Sequence, residues 1–78
     1  MPPECQLFVR PDCPPCELAE HELMPMIDHG LLVELIDISL QSSLLLRYRE
    51  RAPVLRRLDT GAELEWPFEA DQIAAFLR

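Results

Sequence analysis

Lysine is absent from this sequence, glycine occurs only twice, and no long apolar run is present. Because a membrane-spanning helix needs about 20 mainly apolar residues, the sequence predicts no transmembrane segment. Residues 1–4 also lack the basic and apolar regions of a secretory signal peptide. From these two absences we expect a soluble, cytoplasmic protein.

Positive charge is scarce as well. All seven basic residues are arginines, and 14 aspartates and glutamates outnumber them, which gives a net charge of −7. Such a surface repels both a phosphate backbone and anionic lipid headgroups, so we expect neither nucleic acid nor a membrane as a partner. No repeat, low-complexity segment or linker divides the 78 residues, of which 49% are hydrophobic. The sequence therefore predicts one domain over residues 1–78.

The three cysteines are an odd number, which does not suit a framework of structural disulfides. Cys13 and Cys16 have the CxxC spacing of a catalytic pair in a reducing compartment. A structural zinc site usually needs four ligands, and the chain adds only Cys5, His21 and His29 at unsuitable spacings, so we predict no metal ligands. Cys5 is expected to be a small core residue.

The order of apolar segments predicts an α/β fold. Strands are expected at residues 5–10, 31–38, 53–58 and 62–65, and helices at 14–29, around 40–48 and at 69–77. The second strand reads as buried on both faces, and Pro25 predicts a kink or break in the first helix. The resulting order β-α-β-α-β-β-α predicts a four-stranded mixed sheet with helices on both faces.

Hydrophobic spacing also predicts which helix positions are buried. In the first helix Leu18, Leu23, Met26 and Ile27 fall close to one face, and Gly30 suits the position just after its end. In the second helix the stripe expected to be buried consists of Leu40, Leu44 and Tyr48.

The CxxC pair lies where the first strand meets the first helix. Only a thiolate attacks a disulfide, and the free amides and positive dipole end of a helix N-terminus stabilise such an anion. Cys13 is therefore the candidate nucleophile and Cys16 the resolving thiol, with Pro14 and Pro15 in the first turn. We expect the amides of Cys16 and Glu17 to be the nearest donors to the Cys13 sulfur.

Three segments resemble a known family. Residues 8–16, FVRPDCPPC, are similar to the strand and dithiol motif of glutaredoxins, including a basic residue three positions before the first cysteine. Residues 51–55, RAPVL, resemble the segment in which those proteins carry a cis-proline, and residues 66–68, WPF, resemble the ending of the small bacterial glutaredoxin-like group. The similarity in element order covers nearly the whole chain, so the sequence resembles a glutaredoxin-like protein with a thioredoxin fold.

The resemblance implies a thiol-disulfide oxidoreductase in which Cys13 attacks and Cys16 resolves. It makes Arg10 the cation that stabilises the thiolate, and it places a cis-proline opposite the thiols, preceded by a residue whose backbone meets an extended substrate strand. The substrate-binding residues that it implies are Ala52, Pro53, Pro14 and Pro15. The implied partners are a disulfide-containing protein or a small thiol, with a reductase as electron donor.

The sequence departs from the glutaredoxin pattern at residues 57–63, RLDTGAE. Glutaredoxins there have a Gly-Gly turn and a polar pair that hold the γ-glutamyl end of glutathione. We therefore expect no bound cofactor, and glutathione as the reductant remains an open alternative. A second alternative is a non-catalytic thioredoxin-like module that binds a partner or a metal through the same loop. The roles of Cys5 and Trp66 relative to the thiols are left open.

Overall fold

The computed structural model describes residues 4–78, which form four strands, three α-helices and one 3₁₀ turn. The elements are β1 (Cys5–Val9), α1 (Pro14–Asp28), β2 (Val33–Asp37), the 3₁₀ turn (Ile38–Leu40), α2 (Ser42–Tyr48), β3 (Val54–Arg57), β4 (Glu63–Glu65) and α3 (Ala70–Phe76). The predicted element order is confirmed. Within the described residues no helix is long and apolar enough to cross a bilayer.

The strands form one mixed sheet in the order β2-β1-β3-β4. β1 and β2 are parallel, with Val9 opposite Asp37, while β3 runs antiparallel to both β1 and β4, with Phe8 opposite Val54. This register brings the carboxyl ends of β1 and β2 and the beginning of β3 to the same end of the sheet. The loop before α1 leaves the sheet at this end, and reactive groups of parallel sheets usually lie beyond the carboxyl ends of the strands.

Hydrophobic side chains cover both faces of the sheet. Because side chains alternate along a strand, Leu7 of β1 faces α1 and α3 while its neighbour Phe8 faces α2. The buried residues on the α1 and α3 side are Cys5, Leu7, Ala19, Leu23, Leu55, Phe68 and Ile73, and those on the α2 side are Phe8, Ile38, Tyr48 and Val54. Helices therefore lie on both faces, and Cys5 is a core residue, as the sequence predicts.

The second strand differs from its prediction. β2 is shorter than the expected residues 31–38, and it is an edge strand whose Leu35 side chain is 53% exposed. A continuous apolar run predicts a strand that is buried on both faces. Such burial is typical of a central strand, which has a paired strand on each side and helices over both faces. Here β1 takes the central position, so the prediction of full burial for β2 was wrong.

The helices also differ in detail. Residues Ala19 and Leu23, not Leu18 and Ile27, centre the buried face of α1, and Leu18 is 55% exposed. α1 continues through Pro25 to Asp28 without the predicted break, because one missing amide does not outweigh the packing of its buried face. Gly30, with φ +106°, follows the helix end as predicted, and its amide donates to the Ile27 carbonyl.

The stripe predicted for α2 is wrong at its first position. Leu40 lies in the 3₁₀ turn ahead of the helix, and its side chain is 83% exposed. The aspartate before the turn, Asp37, accepts a hydrogen bond from the Ser39 amide, which begins the turn and shortens α2. Tyr48 is fully buried, as expected, and Leu44 packs against the same cluster.

Candidate functional site

Cys13 and Cys16 are joined in a disulfide at the amino end of α1, with their Cα atoms 5.2 Å apart. Cys13 is the N-cap residue, with extended backbone at φ −123° and ψ 93°. The amide of Cys16 donates to the Cys13 Sγ over 3.2 Å and to the Cys13 carbonyl over 3.0 Å, whereas the Glu17 amide reaches only that carbonyl. Of the two amides expected to meet the sulfur, Cys16 alone does so.

The local sequence explains this arrangement. Pro14 and Pro15 occupy the first two helical positions, where a missing amide costs no intrahelical bond. Since neither proline has an N–H group, the Cys16 amide is the first donor of α1 and is directed at the cysteine that precedes the helix. Asp12 has φ +52°, a left-handed conformation that aspartate tolerates better than most residues, and this turns the chain from the end of β1 into the helix.

Both cysteines are nearly buried in the disulfide form. Cys13 is 4% exposed and Cys16 3%, while Arg10, Asp12 and Pro14 around them are exposed. Pro15 is half-buried. The exposed surface next to the disulfide is therefore that of the loop between β1 and α1, including Pro14.

Arg10 follows the last residue of β1 and is exposed. Among residues 4–78 its side chain makes no hydrogen bond and no ion pair, so its guanidinium group has no competing carboxylate partner. Its role toward the thiolate stays a prediction.

Replacing Arg10 with glutamine should slow alkylation of the reduced protein by iodoacetamide at pH 7 by about fivefold or less. An exposed cation near a thiolate in water contributes on the order of 1 kcal/mol, which corresponds to that ratio. Arg78→Gln is a charge-matched control, because Arg78 lies at the end of α3 beside Arg57, whose strand position is opposite Cys5 at the far end of β1. Equal slowing in both variants would assign the effect to net charge and remove the role of Arg10.

The Ala52–Pro53 peptide bond is cis, as the resemblance implies. Pro53 directly precedes β3, at the same end of the sheet as the cysteines. The Ala52 amide donates to the Tyr48 carbonyl over 2.8 Å, and the Trp66 amide donates to the Pro53 carbonyl over 3.2 Å. The Ala52 carbonyl accepts no backbone hydrogen bond from the other described residues. Of the two backbone groups of Ala52, the carbonyl is therefore the one without a backbone partner among the described residues.

A polar network between α2 and β4 was not predicted from the sequence. The Tyr48 hydroxyl donates to Glu63 over 2.5 Å, and Arg51 donates to Glu63 over 2.7 Å and to Glu65 over 2.5 Å. The Tyr48 ring stacks on Phe8 with centroids 4.3 Å apart. Only the register of β4 brings these partners together, and the spacing of residues along the sequence does not indicate that register.

The network changes the pKa values of its members. Burial raises the pKa of Tyr48, and its hydrogen bond to Glu63 raises it further. Burial also acts to raise the pKa of Glu63, but hydrogen bonds from Tyr48 and Arg51 outweigh it and hold that pKa below its usual value. The carboxylate of Glu63 is therefore stabilised in its charged form by the fold.

Other candidate groups lie away from the cysteine pair. A cavity of about 460 Å³ at the far end of β1 is lined by Cys5, Arg57 and Asp59, among others, and burial raises the pKa of the Cys5 thiol. Trp66 packs edge-on against Phe68, with ring centroids 5.1 Å apart, beside the core on the α1 and α3 side. Within residues 4–78 no group of three or more His, Cys, Asp or Glu side chains is arranged to hold a metal ion.

Comparison with known proteins gives matches in sequence and in structure. Residues 4–78 match the model of the family described as glutaredoxin-like domain (DUF836). The X-ray structure of the Northeast Structural Genomics target protein XcR50 from X. campestris is similar over 94% of this chain and 93% of that one, with 33% identity and a TM-score of 0.83. Its solution structure is similar with 32% identity and a TM-score of 0.76, over 95% of this chain and 91% of that one.

A more distant structure shares the fold alone. A mutant of the thioredoxin-like protein BC3987 is 20% identical, with a TM-score of 0.65 over 95% of this chain and 99% of that one. No curated protein matches the sequence. The predicted similarity to glutaredoxin-like proteins of thioredoxin fold is thus confirmed by a sequence family and by the fold of solved structures.

Proposed function

The chain belongs to the glutaredoxin-like domain family, and on that premise we propose that it is a thiol-disulfide oxidoreductase. The observation that carries the proposal is the Cys13–Cys16 disulfide at the start of α1, with the Cys16 amide directed at the Cys13 sulfur. When the pair is reduced, the same amide and the helix N-terminus would stabilise a Cys13 thiolate. We expect the pKa of the Cys13 thiol to lie below the free-cysteine value of about 8.5.

The proposed reaction has two exchange steps. The Cys13 thiolate attacks one sulfur of a substrate disulfide, so that a mixed disulfide forms and the other substrate sulfur leaves as a thiolate. Cys16 then loses its proton to water and attacks the Cys13 sulfur, which releases the second substrate thiolate and forms the Cys13–Cys16 disulfide. Two electrons pass to the substrate, and an external dithiol or two monothiols return them to the protein.

The surroundings suggest how a substrate is held. An extended substrate segment would meet the carbonyl of Ala52 and the apolar rings of Pro14 and Pro15. The Pro53 ring, which the resemblance also implies for substrate binding, is fully buried and would act by holding Ala52 in position. This suits a disulfide-containing protein or a small thiol, with a reductase or glutathione as the electron donor. We propose a cytoplasmic location, because a reducing compartment keeps such a pair available as thiols.

A redox equilibration tests the proposal. The protein is equilibrated with graded ratios of reduced and oxidised glutathione, its free thiols are alkylated, and its intact mass is measured by mass spectrometry. Two thiols should switch together at one midpoint, between about −270 and −180 mV, the range from thioredoxin to disulfide isomerase. Cys5→Ser should keep this transition, because Cys5 is buried at the other end of β1.

Two results would contradict the oxidoreductase. The pair could stay alkylatable at every glutathione ratio, or it could switch reversibly without any turnover of disulfide substrates by a dithiol reductant. The second result would favour the non-catalytic module, whose fold and cysteine pair are the same.

A further inference from the structure

An apolar groove runs between α1 and the edge strand β2, outside the disulfide site. Its volume is about 220 Å³. Leu7 and Leu23, both buried, form its floor, and Met24, Ile27 and Leu35 border it with exposed fractions of 46%, 38% and 53%. Three large apolar side chains with partial exposure around one groove form a contiguous patch rather than scattered single residues.

The groove lies beside free backbone groups. β2 pairs with β1 on one side only, so the other edge of β2 has no sheet partner among the described residues. An unpaired edge presents N–H and C=O groups to an incoming strand. A strand added there would point every second side chain toward the α1 side of the sheet, where Val33 and Leu35 lie.

The charge around the groove has one sign. Residues 11–46 contain no arginine, whereas five of the seven arginines fall between residues 47 and 57. The acidic residues of α1 and β2 are Glu17, Glu20, Glu22, Asp28, Glu34 and Asp37. Glu20 lines the groove, whereas Glu34 is exposed on the opposite face of β2, where its carboxylate accepts a hydrogen bond from Gln6. Because successive side chains of a strand alternate between faces, an extended occupant must therefore bring apolar side chains toward the groove and positive charge toward Glu34 on the opposite face.

This charge decides between two occupants. A second copy of the chain would bring an identical acidic surface against this one, and each copy carries a net charge of −7. Like charges across an interface oppose association, whereas opposite charges speed and orient it. We propose that the groove and the β2 edge together bind an extended segment of a partner protein in which apolar residues alternate with arginine or lysine.

The position of the groove is compatible with an open disulfide site. Glu20 and Ile27 follow Cys16 by four and eleven residues along α1, which corresponds to about 6 and 16 Å at 1.5 Å per residue. A segment docked on β2 would thus lie beside α1 and leave the loop before Cys13 uncovered. The proposal does not depend on the redox activity, and its test does not measure that activity.

The test uses a fluorescein-labelled synthetic peptide of alternating valine and arginine, titrated with the oxidised protein and followed by fluorescence anisotropy. We expect saturable binding that weakens as NaCl is raised, because salt screens the exposed charges. Leu35→Asp should weaken binding about tenfold, since it removes an apolar contact and buries a carboxylate. A peptide of alternating valine and glutamate should not bind.

Leu46→Asp is the matched control, because Leu46 is a 73% exposed leucine on α2. Both variants add one negative charge, so non-specific attraction would raise the affinity for the peptide equally in both. We expect Leu46→Asp to bind as the parent protein does. Glu34→Gln leaves the lining of the apolar groove intact, and we expect it to bind about two- to fivefold more weakly with less salt dependence.

Three outcomes would overturn the proposal. Equal affinity of the Leu35→Asp and Leu46→Asp variants would show that the binding is non-specific charge attraction, and unchanged affinity in Glu34→Gln would show that the basic side chains of the segment do not contact β2. A concentration-dependent dimer in sedimentation equilibrium that Leu35→Asp abolishes would assign the groove to a second copy of this chain instead.

Discussion

A Cys16→Ser variant is expected to accumulate a mixed disulfide between Cys13 and its substrate, and a Cys13→Ser variant is expected to form none. In the parent protein the resolving thiol sits one helical turn from Cys13, with Cα atoms 5.2 Å apart. Without it, release depends on a thiol from solution. In the parent protein Cys16 acts at an effective concentration of about 1 mM or more, whereas the variant depends on a dissolved thiol at about 10 μM. Release of the substrate should therefore be about 100-fold slower in the variant.

The measurement is intact mass after mixing each reduced variant with a model disulfide and quenching with acid. Cys5→Ser in the Cys16→Ser background is the control, because it removes the remaining thiol that could resolve the adduct inside the chain. The adduct should persist equally in both. Trapping by Cys13→Ser instead of Cys16→Ser would reverse the assigned roles, and equal trapping by both would mean that neither cysteine is preferred as the nucleophile.

The sequence predicts the fold and the cysteine pair well, and the reason is physical. A CxxC after a strand, two prolines and an apolar helix is a local pattern, so Cys13 at the N-cap follows from residues within one turn of it. The element order and the handedness of the β1-α1-β2 crossover then leave few sheet arrangements. The cis bond before Pro53 came from the resemblance and not from any pattern in the residues.

The exposure of apolar residues and the polar network could not be predicted in the same way. Hydrophobic periodicity says that Leu35 and Leu40 are apolar, but not that β2 is an edge strand or that a 3₁₀ turn precedes α2. The contacts of Tyr48 and Arg51 with Glu63 join residues 12 to 15 positions apart, and they depend on the register of β4. Local spacing contains no information about that register.

Replacing Tyr48 with alanine should lower the free energy of unfolding by about 3–5 kcal/mol, the usual cost of deleting a buried aromatic ring. The ring is fully buried against Phe8, and the guanidinium groups of Arg47 and Arg51 lie 5.3 and 5.2 Å from its centroid. A domain of this length typically has about 4–12 kcal/mol in total. The substitution therefore removes a large share of the stability, which urea unfolding of the oxidised protein would measure.

Tyr48→Phe separates the ring from its hydroxyl. It keeps the stacking on Phe8 but leaves Glu63 with Arg51 as its remaining side-chain partner, so it should cost about 1–3 kcal/mol, as expected for a hydrogen bond to a charged group. A loss as large as that of Tyr48→Ala would show that the hydroxyl, not the ring, holds α2 to the sheet. No loss at all would mean that water replaces the bond without cost.

The acid dependence of stability provides an independent check on the same bond. The pKa of Glu63 is lower in the folded protein than in the unfolded chain, so the unfolded chain binds more protons as the pH falls. The stability that Glu63 contributes is thus present above its unfolded pKa of about 4.3 and is lost as the pH falls through the folded value. Asp37 and Asp59, whose pKa values are also lowered by hydrogen bonds, contribute equally to parent and variant. The difference between the parent and Tyr48→Phe stability curves should therefore shrink below pH 4, and a constant difference would show that the hydroxyl does not stabilise the charged form of Glu63.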